Sequence, residues 1–188
     1  MTKVETKFKG KLLIARPGTM RDPTFAQTVV YLYEQTDLIV FGLILNKPSY
    51  LTIDRLQGLR GIYNTGATGS VYRGGPVGEQ SLILLHTDEW NSTNTIPVTH
   101  GNCISSDELM LDKMVDGNLP ACWRLIAGMS TWGVKQLQEE LYQHKAWLLV
   151  EPNHEIFYNE DEEDQWKMGI QLASDQMMDQ LLIDNTVV

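Results

Sequence analysis

Few residues in this chain combine the type and the spacing that chemistry demands. His100 and Cys103 form an isolated HxxC pair, whereas zinc needs four protein ligands, or three in a catalytic site; no second pair follows at a ligand spacing, so no metal is expected. Cys103 and Cys122 are the two cysteines, in no CxxC arrangement, and read as free thiols of a reducing compartment. The run Gly74-Gly75-Pro76-Val77-Gly78 lets a ligand or second backbone approach closely. It lacks the GxGxxG and GxxxxGK patterns of phosphate loops, so a structural turn is the simpler reading, with an anion nest or peptide cleft as the alternative. No cofactor is implied.

Nucleophilic chemistry finds little support. Ser130 stands in Gly-Met-Ser-Thr-Trp-Gly between a predicted strand and helix, but Met129 and Thr131 replace the small flanking residues that a nucleophile elbow requires. His86 ends an apolar strand, where it either hydrogen-bonds within the core or serves a pocket as a base. The acidic side chains are too scattered to single out a glycosidase pair. Trp123, Trp132, Trp147 and Trp166 fall at element boundaries as core anchors, while Trp90, in a polar loop, reads equally as an exposed recognition aromatic or a plug under the loop. Arg16, Arg21, Lys47, Arg55 and Arg60 lack the interleaved aromatics of a nucleic-acid surface.

The elements that must position these residues follow from periodicity. Leu12 to Arg16, Thr28 to Glu34 and Leu38 to Leu45 read as strands, the last two as a hairpin stopped by Asn46 to Ser49. Thr52 caps a short helix bearing Ile53, Leu56 and Leu59. Strands are expected around Val71, over Ser81 to His86, around Ile96 to Thr99, over Cys122 to Ala127 and over Trp147 to Val150, with an edge strand at Ile156 to Tyr158. Ser105 or Ser106 caps a helix carrying Leu109, Met110, Met114 and Val115; Gly133 to Lys145 forms another. A final helix runs from Asp161 with Trp166, Ile170, Ala173 and Met177 on one stripe. Strands outnumber helices without alternating with them, so the class is α+β.

Composition sets the outer bounds. With 188 residues, 43% hydrophobic and 21% charged, one domain with its own core is expected over residues 1–188. No apolar run is long enough for a membrane span and no export signal is read at the N-terminus. The formal charge of −9 opposes association with nucleic acid and anionic lipid. All of the excess lies in residues 151–188, which hold Lys167 alone against ten acids. The acidic run Glu160 to Asp164 suits a helix N-terminus, or a face docking a basic partner. Lysines at 3, 7, 9 and 11 suggest a mobile basic arm over about residues 1–9.

The order of motifs carries more. Leu12-Leu13-Ile14-Ala15 with Pro17, then Asp22-Pro23 and Phe25, Val29-Val30-Tyr31, Gly42-Leu43, Asn46-Lys47-Pro48, Gly74-Gly75-Pro76-Val77, Leu85-His86, Trp132-Gly133, Gln136-Leu137, Glu140 and Trp147 resemble the AlgH/YqgE family of bacterial proteins across essentially the whole chain. The resemblance implies a cytoplasmic α+β protein whose mixed, mostly antiparallel sheet curls into a pseudo-barrel flanked by helices. It implies little chemistry: the family's transcription-regulatory label rests on a genetic association with alginate production. Met129, Ser130 and Thr131 depart from the aromatic and small residues that usually precede this tryptophan. The family motifs offer Arg16, Pro17, Arg21, Asn46, Lys47, Gly74, Gly75, His86, Trp132 and Gln136 as a candidate ligand- or partner-binding cluster. The resulting expectation is a non-enzymatic binding or regulatory module that contacts a protein, a second copy or a small ligand. Its competitors are a hydrolase or transferase using His86 near the GGPV turn, and a DNA-binding protein.

Overall fold

Strands whose residues are apolar at every position, not at alternate ones, must be covered on both faces, and that requirement shapes this molecule. The computed structural model describes residues 7–59, 66–158 and 162–186. In order, the elements are β1 (Leu12–Ala15), β2 (Val29–Gln35), β3 (Ile39–Ile44), β4 (Pro48–Thr52), α1 (Ile53–Leu59), β5 (Ser70–Arg73), β6 (Val77–Thr87), β7 (Ile96–Pro97), β8 (Asn102–Ser105), α2 (Glu108–Val115), β9 (Trp123–Gly133), α3 (Val134–Tyr142), β10 (Trp147–Val150), a 3₁₀ turn at His154–Ile156, and α4 (Glu162–Thr186). The sheet runs β10-β1-β2-β3-β9-β6-β8-β7, and β4–β5 branches from β9. Among the described residues every ladder is antiparallel except β5 with β9. This is an α+β half-barrel with a curled sheet and four helices among the described residues.

Alternate residues of each strand feed different cores. Leu12, Ile14, Val29, Tyr31, Leu43 and Leu45 face the inside of the curl, beneath Trp166 and Ile170 of α4. Leu13, Ala15, Val30, Leu32 and Ile44 face the other way, under Leu137 and Leu141 of α3. A third cluster joins Leu84, Leu125 and Val71 to Met110 and Met114 of α2. The pivot is β9. Its first half pairs with β6 and β5, and its end, Ser130 to Gly133, pairs with β3. Gly128 makes this possible: at φ 74° it takes the left-handed conformation that glycine adopts without penalty, and an added Cβ would sit 2.7 Å from the Gly75 carbonyl.

Several expectations are corrected by local chemistry. Ser105 does not cap α2: it belongs to β8, and Asp107 is the cap, accepting from Met110 N at 2.9 Å. Ser130 lies within β9 and not on an elbow; its hydroxyl donates to the Gly74 carbonyl. Residues 154–156 form a 3₁₀ turn instead of an edge strand because Asn153 Oδ1 accepts from Ile156 N. Met177 leaves the packed stripe of α4 and is 59% exposed. The basic arm is tied down at its inner end, where Phe8 is fully buried and Lys9 pairs with Glu34 at 2.9 Å; its residues 1–6 lie outside the described residues, as do Arg60, Glu160 and Asp161.

Candidate functional site

Seven of the ten predicted residues fall into three groups, and Arg16, Pro17 and Arg21 join none of them. The first gathers where β3 leaves the sheet beside the end of β5. Ile44 N donates to the Gly74 carbonyl at 3.0 Å and Arg73 N to the Lys47 carbonyl at 2.8 Å, so the chain after β3 lies against the glycine turn that follows β5. Gly75, at φ 148°, has no space for a side chain: a Cβ would run into the Ser130 hydroxyl and the Met129 carbonyl. These contacts leave a concavity of about 140 Å³ lined by Pro23, Thr24, Ile44, Lys47, Pro48, Arg73 and Gly75. Three motif segments far apart in sequence thus share one wall. Lys47 has no carboxylate within ion-pair distance among the described residues, and Arg73 meets only Glu79, at 3.1 Å with both side chains more than half exposed, a rim pair that contributes little. Asn46, next in sequence, is spent on the fold: Oδ1 accepts from Val29 N, and Nδ2 donates to the Gln27 and Glu162 carbonyls. Pro17 and Arg21 lie exposed on the β1–β2 connection. Arg16 on the same connection gives its backbone N–H to Ala146 O, and its Nε is buried without a hydrogen-bond partner.

The second group centres on Glu140. Its Oε2 accepts from Trp147 Nε1 at 2.8 Å and from Trp132 Nε1 at 3.2 Å, while Oε1 accepts from Gln136 Nε2 at 2.9 Å. Phe25 packs its ring against both indoles. Trp132 and Trp147 therefore hold α3 on the sheet through Glu140, while Gln136, itself on α3, accepts from Gly133 N at the helix start.

His86 stands alone in the third. It is fully buried and lines none of the described concavities. Nδ1 lies 2.9 Å from the Thr87 carbonyl, which can only accept, so Nδ1 carries the proton and Nε2 accepts from the Ser105 hydroxyl at 2.9 Å. Ser105 in turn is 2.8 Å from Thr95 Oγ1. Burial lowers the imidazole pKa, with the Thr87 carbonyl and Glu89 opposing it. Nor does His86 adjoin the GGPV turn. Val77 is opposite Met129 on β9 and His86 opposite Trp123, a separation of about 20 Å along a strand. Trp90 closes this region as a plug, not a recognition aromatic: it is 7% exposed, donates to the Asn118 carbonyl at 3.1 Å and packs on His86 with ring centroids 4.9 Å apart.

A larger cleft of about 490 Å³ opens where β5 and β9 part, beyond Tyr72↔Ile126, and adjoins one of about 370 Å³. No motif in the sequence marks it. Three of its polar groups are engaged internally. Arg124 stacks over Tyr72 at 4.1 Å and donates to Leu45 O and Gln165 Oε1; Tyr158 OH, its pKa raised by burial, donates to Asn102 Oδ1 at 2.6 Å; Glu89, its pKa lowered, accepts from Ala121 N and the Thr87 hydroxyl. Size favours this cleft, but available charge favours the Lys47–Arg73 concavity. Of the lining residues outside the predicted cluster, Arg73 is the charged one; its position directly before Gly74-Gly75 was the available signal.

A curled half-barrel covered by helices is the architecture shared with a bacterial protein of known structure. The chain belongs to the AlgH-like family, whose sequence profile matches residues 12–178. The solution structure of the AlgH protein from Pseudomonas aeruginosa superposes with a TM-score of 0.70 at 26% identity, covering 90% of each chain. A Corynebacterium diphtheriae protein, at 20% identity and TM-score 0.67 over 86% of this chain and 84% of that one, shares the fold. A protein of the UPF0301 group from Caulobacter vibrioides is 33% identical over 171 residues, covering 86% of this chain and 87% of its own length.

Proposed function

We propose that this protein is a non-enzymatic binding module, working in the cytoplasm, that engages an anionic group of a protein partner or small ligand at the Lys47–Arg73 concavity. The observation that supports it is the convergence of Pro23-Thr24, Lys47-Pro48 and Arg73-Gly75 around two cations without a buried counter-charge. Cations held on backbone that a close glycine contact fixes are pre-organised for a carboxylate or phosphate. A regulatory role is then exercised through this contact and not through DNA, since two cations on a chain of charge −9 give a weak hold on a phosphate backbone. The free thiols Cys103 and Cys122 suit a reducing compartment.

Amide chemical shifts followed during titration with inorganic phosphate, and separately with a hexaglutamate peptide, test the reading. Perturbations centred on Thr24, Lys47 and Arg73 to Gly75, abolished in Lys47→Gln/Arg73→Gln, are expected below about 10 mM ligand, a weak but specific affinity. Shifts confined to the β5–β9 cleft, or none, would refute it. Duplex DNA at about 50 mM salt, where phosphate contacts are strong, should give no complex.

A further inference from the structure

The C-terminal helix α4 has two apolar stretches. One, through Gln165, Gly169 and Ala173, is buried on the sheet, and Gly169 admits Ile14 so closely that a Cβ would meet its Cδ1 at 2.6 Å. The other belongs to the distal part of the helix. Met177, Met178, Leu181 and Leu182 are 59%, 57%, 52% and 63% exposed. The pairs 177/181 and 178/182 are both spaced i, i+4, so at 3.6 residues per turn they lie side by side as one strip, whose 177/181 row continues the buried 165/169/173 row into the exposed part of the helix; Ile183, 59% exposed, lies outside it. Four large apolar side chains in one exposed strip mark a contact surface more readily than four scattered ones. The family profile ends at Met178, so Leu181 and Leu182 lie outside the part of the chain shared with the family.

Charge selects the occupant. Asp175 and Asp179 border the strip on one side and Asp184 on the other, and residues 168–186 contain no Lys or Arg. A second copy packed symmetrically on the strip would bring these aspartates against one another, since a two-fold interface sets the same patch on both sides. A membrane surface, commonly anionic, repels the same charges. A protein groove with an apolar floor and basic rims satisfies both features, the helix-in-groove mode, and methionine adapts readily to such a floor. We propose that residues 177–182 of α4 are a docking helix for a partner protein offering an apolar groove edged with lysine and arginine. This surface is independent of the Lys47–Arg73 concavity.

The test uses the full chain carrying a photo-reactive benzoylphenylalanine at Met178 or, as control, at the exposed Tyr142 of α3, irradiated in native lysate. The expected result is an adduct specific to position 178 whose partner peptide, sequenced by mass spectrometry, combines apolar residues with Lys or Arg. That adduct should be lost in Leu182→Asp and about tenfold weaker in Asp175→Lys/Asp179→Lys, as for loss of complementary charge. Circular dichroism should show both variants folded. An adduct to a second copy, an adduct peptide without basic residues, indifference to charge reversal, no position-specific adduct, or co-sedimentation with phosphatidylcholine–phosphatidylglycerol vesicles would each overturn the proposal.

Discussion

Replacing Glu140 by alanine isolates the contribution of one carboxylate to the seating of a whole helix. Trp132 and Trp147 are 4% and 2% exposed, and both indole N–H groups donate to the same Glu140 oxygen. Glu140→Ala strands two buried donors, each costing about 1–3 kcal/mol. The Gln136 bond is exposed and adds little. Because Glu140 is itself half-buried, water can follow into part of the space, so the total belongs in the lower half of the roughly 2–6 kcal/mol that two donors give, about 3 kcal/mol. For a chain of this length that is about 6–12 °C in Tm. Glu140→Gln keeps an acceptor for the indoles and turns an amide toward the exposed Gln136, which can rotate away; a loss of about 1 kcal/mol is expected. Urea unfolding followed by tryptophan emission reads both variants. A loss below about 1 kcal/mol for Glu140→Ala, or equal losses for the two substitutions, would show that the indole bonds do not hold α3 and that ring packing by Phe25 suffices.

Two further outcomes concern pH and capping. The His86 pKa is depressed in the fold by burial, so the unfolded chain binds the extra proton first; stability should be intact above about pH 6.5 and fall as pH drops through 6.5 toward the lower folded value. In His86→Gln, urea midpoints should start lower but change less between about pH 6.5 and 5, where an ordinary histidine takes up its proton; identical slopes in variant and parent would remove this histidine as the source. Asp107 is partly buried, which raises its pKa, but hydrogen bonds from Ser92, Asn94 and Met110 outweigh this and lower it. Its contribution is therefore present above the unfolded carboxyl value and lost as pH falls through the folded one. Asp107→Ala should cost about 1–2 kcal/mol, measured at neutral pH by denaturant, and unchanged stability would mean that another group caps α2.

Much of the framework was legible because it rests on local patterns. β1 to β3 are apolar runs bounded by Pro17 and Asn46, and Thr52 caps α1 by accepting from Arg55 N at 3.3 Å. The failures have physical causes. β4 begins with Pro48 and lies at an edge, so it carries no alternating signal. At α2 the spacing of Ser105 and Glu108 imitates a capping box, but the Asp107 carboxylate is the stronger acceptor and Ser105 is drawn into β8 by its ladder with Leu84. The second half of β9 was hidden because Gly128 reads as a stop, whereas a left-handed glycine inside a paired strand bends it and lets it continue. The site was half legible. Lys47 and Gly75 came from motif resemblance, but nothing local announces that they meet Arg73 and Thr24. That meeting is set by the register of β3 and β5 on β9, across more than 50 residues of chain.

The pivotal position of β9 bears on how this chain is made. β3 is complete at Ile44, yet its outer partner, Ser130 to Gly133, is synthesised almost 90 residues later, and β1 waits longer still for β10, with Leu12 opposite Val150. At the usual elongation rate the nascent chain spends roughly 5–20 s with apolar strand edges unpaired. Such long-range pairing also slows folding after release. The window between the emergence of β3 and that of β9 is therefore when unpaired strands can join those of another chain, and truncations that end before Gly133 should aggregate while the chain that retains β10 and α4 should not.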